Sequence, residues 1–413
     1  MPHSWRYRSR SEQRLSSGRH TARARHVLHC IPTLAQGGAE RILATLARFD
    51  TEVEHRIVCI FAGPRLFDPG RPVLSLGLPR NSLALVLFPV ALLRFVWIVR
   101  QYSPDKIVGW LYYGALFASV GKMLGCPVVW SLHATALEEK GSHAGLRLAV
   151  ALCRRLSWWV PQHIHYCSHE GRAAHRDQGF GDAHVVVIGN AVDPHLVLDF
   201  HAAESVPRVQ SGRSAHTIGC AARLDAQKDH ETLFEALAIL DARGFDFVCL
   251  LAGYGCDTGN PKLTRMIERH DLAHRIVPLG VMARMGRFYR SIDLLVLSSA
   301  YGESMPLVLQ EAAALGRRIV ATDVGAARTL VGPLDAIVPP RDPRTLAVAI
   351  QTVLERQATS PTGPAHDIAA PTAHEYVALW HAQLLQEHSF AKPIAAAPSS
   401  ILAGHLPKRP HRE

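Results

Sequence analysis

The chain has 413 residues, 48% hydrophobic and 19% charged, which excludes a wholly disordered protein. At about 150 residues per domain, a length of this order predicts two or three domains. The 45 Lys and Arg against 35 Asp and Glu leave +10, a surplus that points to an anionic partner: nucleic acid, a membrane surface or phosphate.

Residues 1–25 hold seven Arg and one Glu around no apolar core, so they do not read as a secretory signal. A basic tail without fixed structure, a transit-type peptide and an early start codon all fit them. Short β-type runs then alternate with helical patterns. His26–Ile31 is a strand, followed by Gly37-Gly38 and a helix over Ala39–Arg48. Arg56–Phe61 is a second strand. Leu83–Val99 is the most apolar stretch, but at 17 residues with Arg94 and Pro89 it falls short of a spanning helix. Pro89 reads as the first-turn residue of a helix running to about Gln101. Strands follow at Lys106–Leu111 and Pro127–Leu132, then a helix over 144–157 and strands at Ile164–Cys167 and Val185–Ile188.

The pattern thins between Asp193 and His216, where Pro, Gly and Ser mark a connector. A second series begins with strand Thr217–Ala221 and helix His230–Ala242. Strand Phe247–Ala252, helix Lys262–His270 and strands Ile276–Leu279 and Asp293–Ser298 come next. Helix Pro306–Leu315 and strand Arg318–Thr322 follow, and residues 358–372 read as a loop. Tyr376, Trp380 and Leu384 stripe a last amphipathic helix. Near-continuous apolar strands imply parallel sheets covered on both faces. The reading is α/β, with two Rossmann-like doubly wound domains facing a cleft. They span 26–200 and 212–372, with a C-terminal helix at 373–388 and basic tails at 1–25 and 389–413.

Eight cysteines lie mostly in apolar runs and form no CxxC pair, so they read as small buried thiols of a reducing compartment. The 24 histidines are scattered, without HExxH, and read mostly as surface residues.

The sharpest chemical signal is Tyr301 to Gly325. Glu303 precedes a helix opened by Pro306, and Glu311 lies within it, eight positions on. Carboxylates suit sugar hydroxyls, and the free N–H groups of a helix start suit phosphate. A nucleotide sugar offers both. From spacing alone, a capped helix with one solvated Glu fits equally well. Arg223 and Lys228 stand five apart in a strand-to-helix loop. Two cations there would stabilise a departing diphosphate without a metal. Lys is poorly placed against the dipole of a helix start, which argues against a merely solvated pair. No DxD-like metal motif sits at a strand end.

The 301–325 segment resembles the E-x7-E motif of retaining glycosyltransferases of family 4, which have the GT-B fold. Other stretches match in order: Gly37-Gly38-Ala39-Glu40-Arg41, Trp130-Ser131-Leu132-His133, Val187 to Asp193, Cys220 to Lys228, Leu250 to Gly255 and Val277 to Gly280. The resemblance spans about 26–388, and its 105–180 region looks most like O-antigen and capsule-building transferases. It implies that Glu303 contacts donor-sugar hydroxyls and Glu311 the ribose. It places Ser304, Met305 and Leu307 beside them, and His133 at the donor sugar and reaction centre. Gly37-Gly38 would let backbone approach phosphate. Transfer would proceed on one face with retention, without metal or cofactor. Ser304-Met305-Pro306 departs from the usual "GFP", as Gly189, Ala191 and Asp229 depart from their motif positions.

The expectation is therefore a hexose or N-acetylhexosamine transferase using a nucleotide sugar, with a UDP-sugar favoured. Its acceptor would be a glycan or lipid-linked glycan of surface polysaccharide. Its place would be cytoplasmic, on the inner face of the membrane. A nucleotide-sugar epimerase of the same fold would turn over without acceptor. A basic nucleic-acid-binding protein would carry its charge on the folded domains. The charge sits elsewhere: residues 1–25 carry +6 and residues 392–413 carry +3, leaving +1 between. The tails would draw the enzyme to an anionic membrane.

Overall fold

The computed structural model describes residues 26–35, 37–134, 144–202, 216–359 and 370–385, so both basic tails lie outside the described residues. The first domain runs β1 (His26–Ile31), α1 (Gly38–Phe49), β2 (Glu54–Phe61), β3 (Val73–Leu78), α2 (Leu83–Tyr102) and β4 (Lys106–Trp110). It continues through α3 (Leu111–Met123), β5 (Val128–Leu132), α4 (Ala144–Leu156), β6 (His163–Tyr166), α5 (His169–Asp177), β7 (Val185–Val187) and α6 (Pro194–Ala202). The second runs β8 (His216–Ala221), α7 (His230–Ala242), β9 (Phe247–Ala252), α8 (Pro261–Arg269), β10 (Ile276–Gly280), α9 (Met285–Ser291) and β11 (Leu294–Leu297). Then come α10 (Leu307–Ala314), β12 (Arg318–Thr322), β13 (Ala336–Val338), α11 (Pro343–Thr359) and α12 (Ala373–Trp380).

The strands form two parallel sheets, ordered β3-β2-β1-β4-β5-β6-β7 and β10-β9-β8-β11-β12-β13. In each, the order reverses direction beside the first strand, between β1 and β4 and between β8 and β11. Ligands of doubly wound sheets bind at such points, beyond the strands' carboxyl ends. The fold is that of two α/β parallel-sheet domains of GT-B type. All eight cysteines are buried and free, filling space in the apolar interior.

The chain ends by returning to the first domain. Thr372 and Glu375 form a reciprocal cap at the start of α12, which packs against α1. Tyr376, Trp380 and Leu384 are fully buried beside Ile42 and Leu43, as the stripe predicts. Lys106, itself buried, donates through Nζ to the Leu384 carbonyl at 2.7 Å and satisfies that helix end.

Several sequence expectations are corrected. The apolar helix begins at Leu83, not at Pro89, and its 20 residues are long and apolar enough to cross a membrane. Pro89 is tolerated because it lies on the exposed side, where solvent can replace the backbone hydrogen bond a proline cannot make. The connector after Asp193 starts with helix α6. Helices α3, α5, α9 and α11 and strands β3 and β13 also appear where no element was read. Helix α3 is apolar nearly all round, so it shows no stripe. A Cβ on its Gly114 would meet the Cys30 carbonyl oxygen at 2.3 Å, so glycine permits close helix–sheet packing. Seven histidines are buried rather than exposed: His29, His55, His163, His165, His175, His230 and His381.

Candidate active site

The C-terminal wall is built at the β8/β11 switch point. The loop after β8 carries Arg223 and Lys228, and the loop after β11 carries Glu303. Asp229, with φ 47°, caps α7 by accepting from the Thr232 N–H and fixes the loop's exit. Lys228 Nζ pairs with Glu303 Oε1, which also accepts from Ser299 Oγ at 2.6 Å. The Ser298 hydroxyl holds the Lys228 carbonyl at 2.9 Å, and Ala300 N–H the Gln227 carbonyl at 2.8 Å, so the loops are clamped together. Arg223 is half exposed, 3.2 Å from Asp225, and stays reachable from solvent.

Glu303 and Glu311 are both buried, 7% and 2% exposed, which removes the solvated-Glu alternative. Burying two carboxylates costs several kcal/mol each unless each is paired. Glu311 is paired by Arg41 of α1 and by the Tyr289 hydroxyl at 2.7 Å from Oε2. Arg41 thus ties the two domains across the cleft. Ser304 is buried against the first domain as well. The Ser168 hydroxyl donates to its carbonyl at 3.2 Å, and the Cys167 thiol lies 3.1 Å from its Oγ. Asn190 Nδ2 donates to the Met305 carbonyl at 3.2 Å, and Leu307 packs with Ala39 and Ile42.

On the N-terminal wall, Gly37 caps α1 at the β1/β4 switch point. Glu40 folds back over it: a Cβ on Gly37 would fall 2.3 Å from Glu40 Oε2. Burial raises the Glu40 carboxyl to about 7, opposed by its own backbone N–H, by Arg223 across the cleft and by Thr33. A Cβ on Gly38 would lie 3.3 Å from Leu307, so this loop faces the start of α10.

His133 follows β5 and belongs to a neutral relay whose tautomers can be derived. His165 Nε2 donates to the Ile188 carbonyl at 3.1 Å, so its Nδ1 accepts from the Ser131 hydroxyl at 2.8 Å. Ser131 Oγ then accepts from His133 Nε2–H at 2.9 Å, leaving Nδ1 of His133 as its lone-pair nitrogen. Burial, with His165 nearby, holds His133 well below the ordinary histidine value. His133 therefore suits accepting a hydroxyl proton contact, not donating charge.

A second relay supports it. Trp110 Nε1–H donates to His29 Nδ1 at 3.0 Å, so His29 Nε2–H donates to His55 Nδ1 at 2.8 Å. His55 Nε2–H then reaches buried Asp50 at 2.9 Å, which also accepts from His381. The Trp110 ring stacks on His133 at 5.2 Å and on Trp380 at 5.5 Å.

Of the sequence-predicted residues, the structure joins Lys228 to Glu303, sets Arg223 facing Glu40, and brings Ser304, Met305, Leu307 and Glu311 against the first domain. Arg41, Tyr289 and Glu40 were given no role from sequence. Glu40-Arg41 follows the glycine pair after Ala39, which is the available signal; Tyr289 lies on α9, whose 7 residues are too short for a stripe. Among the described residues, no three His, Cys, Asp or Glu side chains gather to hold a metal ion.

Two nucleotide-binding-type sheets with charged loops at both switch points define a GT-B glycosyltransferase. The family model described as "Glycosyltransferase Family 4" matches residues 36–196, and "Glycosyl transferases group 1" matches 215–356. Together the two models cover most of the chain, which carries a glycosyltransferase family 4 domain followed by a glycosyltransferase group 1 domain. It is 26% identical over 312 residues to the glycosyltransferase EpsF of Bacillus subtilis (strain 168), covering 72% of this chain and 79% of that one. Among solved structures, it resembles Anabaena Alr3699/HepE in complex with UDP-glucose, at 22% identity and TM-score 0.67, over 87% of this chain and 95% of that one. It also resembles a sucrose-phosphate synthase from Thermosynechococcus elongatus, at 18% identity and TM-score 0.66, over 87% and 96% of the two chains.

Proposed function

We propose that this glycosyltransferase moves a hexose or N-acetylhexosamine from a UDP-sugar to a glycan or lipid-linked glycan of surface polysaccharide, with retention of anomeric configuration and without a metal. The observation that carries the reading is the Lys228–Glu303 pair ahead of α10, with Arg223 half exposed in the same loop as Lys228. The UDP-glucose held by the HepE structure supports a nucleotide-sugar donor, and the name of the Bacillus relative supports glycosyl transfer.

In this reading the diphosphate lies between Arg223, Lys228 and the α10 N-terminus. As the sugar C1–O bond breaks, the electron pair passes to the departing phosphate oxygen, where these groups stabilise it. The acceptor hydroxyl attacks C1 from the same face, and its proton goes to that phosphate. Glu303 orients sugar hydroxyls while neutral His133 accepts a hydrogen bond from another. The pair on Glu311 means that a ribose would share that carboxylate with Tyr289 or displace Arg41.

Incubation with a donor panel and a lipid extract, read by product mass and by NMR of the new linkage, tests this. Transfer from a UDP-sugar with retained configuration, unchanged by EDTA, is expected. Full transfer by Glu303→Ala and Arg223→Ala would overturn the assigned roles.

A further inference from the structure

Helices α2, α3 and α4 cover one face of the first sheet, sharing one core through Phe95, Phe117 and Cys153. On α2 the inner stripe is spent on that core: Ala91, Phe95, Ile98 and Val99 are buried. Yet the outer stripe is apolar too. Leu83, Val86, Val90, Leu93 and Trp97, spaced three and four apart, are 51–71% exposed. Single exposed apolar residues are ordinary, but a stripe running the length of a helix marks a contact surface. Trp158 and Trp159, just after α4, are 60% and 62% exposed. Tryptophans of this kind favour the boundary between headgroups and acyl chains.

The charge on these three helices is one-sided. Helices α2, α3 and α4 carry Arg94, Arg100, Lys122, Arg147, Arg154 and Arg155 and not one Asp or Glu. All six are exposed. Helix α5 packs on the same face, where its His175 meets Tyr112 of α3, and it is mixed: Glu170 and Asp177 stand with Arg172 and Arg176. A second copy laid on the basic face would set cation against cation. A bilayer with anionic headgroups satisfies both the stripe and the charges.

We propose that the outer face of α2, α3 and α4 docks on an anionic lipid bilayer, with the α2 stripe and Trp158-Trp159 entering the headgroup boundary. The helix lies along the surface and does not cross it. Phe95 is fully buried, and the Tyr102 hydroxyl holds the Glu54 carbonyl at 2.8 Å, both tying α2 to the sheet. Leu83 follows β3, so the stripe starts at the strands' carboxyl ends, on the cleft side. On the reading above, this brings the acceptor wall to the lipid, though docking itself does not depend on what the acceptor is.

The full chain is mixed with phosphatidylcholine vesicles and with vesicles partly of phosphatidylglycerol, and binding is read by co-sedimentation. Sedimentation preferring the anionic vesicles is expected. The variant Val90→Glu/Leu93→Glu/Trp97→Glu should bind about tenfold less or worse, since it exchanges apolar contact for like charge. Arg94→Glu with Arg154→Glu should lower binding by roughly fivefold per lost charge and more at low salt. Both variants keep the tails, their altered side chains are exposed, and circular dichroism checks the fold. Quenching of tryptophan emission by brominated lipid, reduced by Trp97→Phe, is the second readout. The proposal fails if the parent does not bind, if the stripe variant binds as the parent does, or if the parent is a dimer that the stripe variant dissolves. Loss of sugar transfer without loss of vesicle binding would count against the proposed function and leave the docking intact.

Discussion

The two walls of the cleft hold their polar groups by different physics. The C-terminal wall uses ions: Lys228 on Glu303, and Arg41 on Glu311. The N-terminal wall uses neutral hydrogen bonds handed from ring to ring, from Ile188 through His165 and Ser131 to His133, and from Asp50 to Trp110. Ions suit a diphosphate whose charge grows during reaction, and they answer it over several ångströms. Neutral relays suit hydroxyls, which need oriented donors and acceptors at contact distance. Asp50 ends its relay by accepting from His55 and His381; Glu40 is the exception, an acid outside both relays and facing Arg223. The difference predicts that breaking the first wall costs most, and breaking the second costs least.

Lys228→Ala gives the largest effect. It leaves Glu303, buried and already accepting from Ser299, without its cation. Stability should fall by about 3–5 kcal/mol, the usual penalty for removing one partner of a buried ion pair. Transfer should fall by about 10²–10³, the cost of one electrostatic donor. Lys228→Ala with Glu303→Ala removes both charges, so urea melts should recover most of the stability while transfer stays lost. If the double variant melts as low as the single one, the pair is not the source of the penalty.

Much of this wall was legible in the sequence, because its residues sit on strongly patterned ground. Strands such as Phe247–Ala252 and Leu294–Leu297 are short unbroken apolar runs, and the loop after Leu297 carries Glu303. The partners were not legible. Nothing local in Arg41 says that it crosses the cleft to Glu311, since that contact spans 270 positions and exists only once both domains are folded. Helix α3 hid because a helix buried on several sides has no period to read, and α2 was shortened because Pro89 looked like a start. The buried histidines misled for a related reason. Type alone suggests the surface, and only the relay shows how their nitrogens are satisfied.

Glu40→Gln tests the exception. Burial raises the folded-state carboxyl from 4.5 to about 7. Below about pH 4 both folded and unfolded chains are protonated there, and the substitution should change little. Between 4.5 and 7 the folded state keeps a proton that the unfolded state has lost, so stability falls as pH rises. Above 7 the full cost is present, about 3 kcal/mol by the pKa difference. The glutamine variant should therefore be more stable than the parent at pH 8 and no different at pH 4. Equal melting of the two proteins at both pH values would show that the buried acid carries no such cost.

Ser131→Ala is the smallest and the most specific. It leaves His165 Nδ1 as a buried acceptor without its donor, at about 1–2 kcal/mol. It also frees His133 to move its proton from Nε2 to Nδ1, which would turn its acceptor nitrogen into a donor. Transfer should drop by about tenfold, roughly 1.4 kcal/mol of transition-state stabilisation. Ser131→Thr keeps the hydroxyl and should restore much of it. Because His133 is held well below its ordinary value, neither variant should create a pH limb near 6.5. Nitrogen-15 NMR reads the tautomer directly. A parent His133 already protonated on Nδ1 would break the relay argument, whatever the rates, because Ser131 would then have to donate to two rings with one hydrogen.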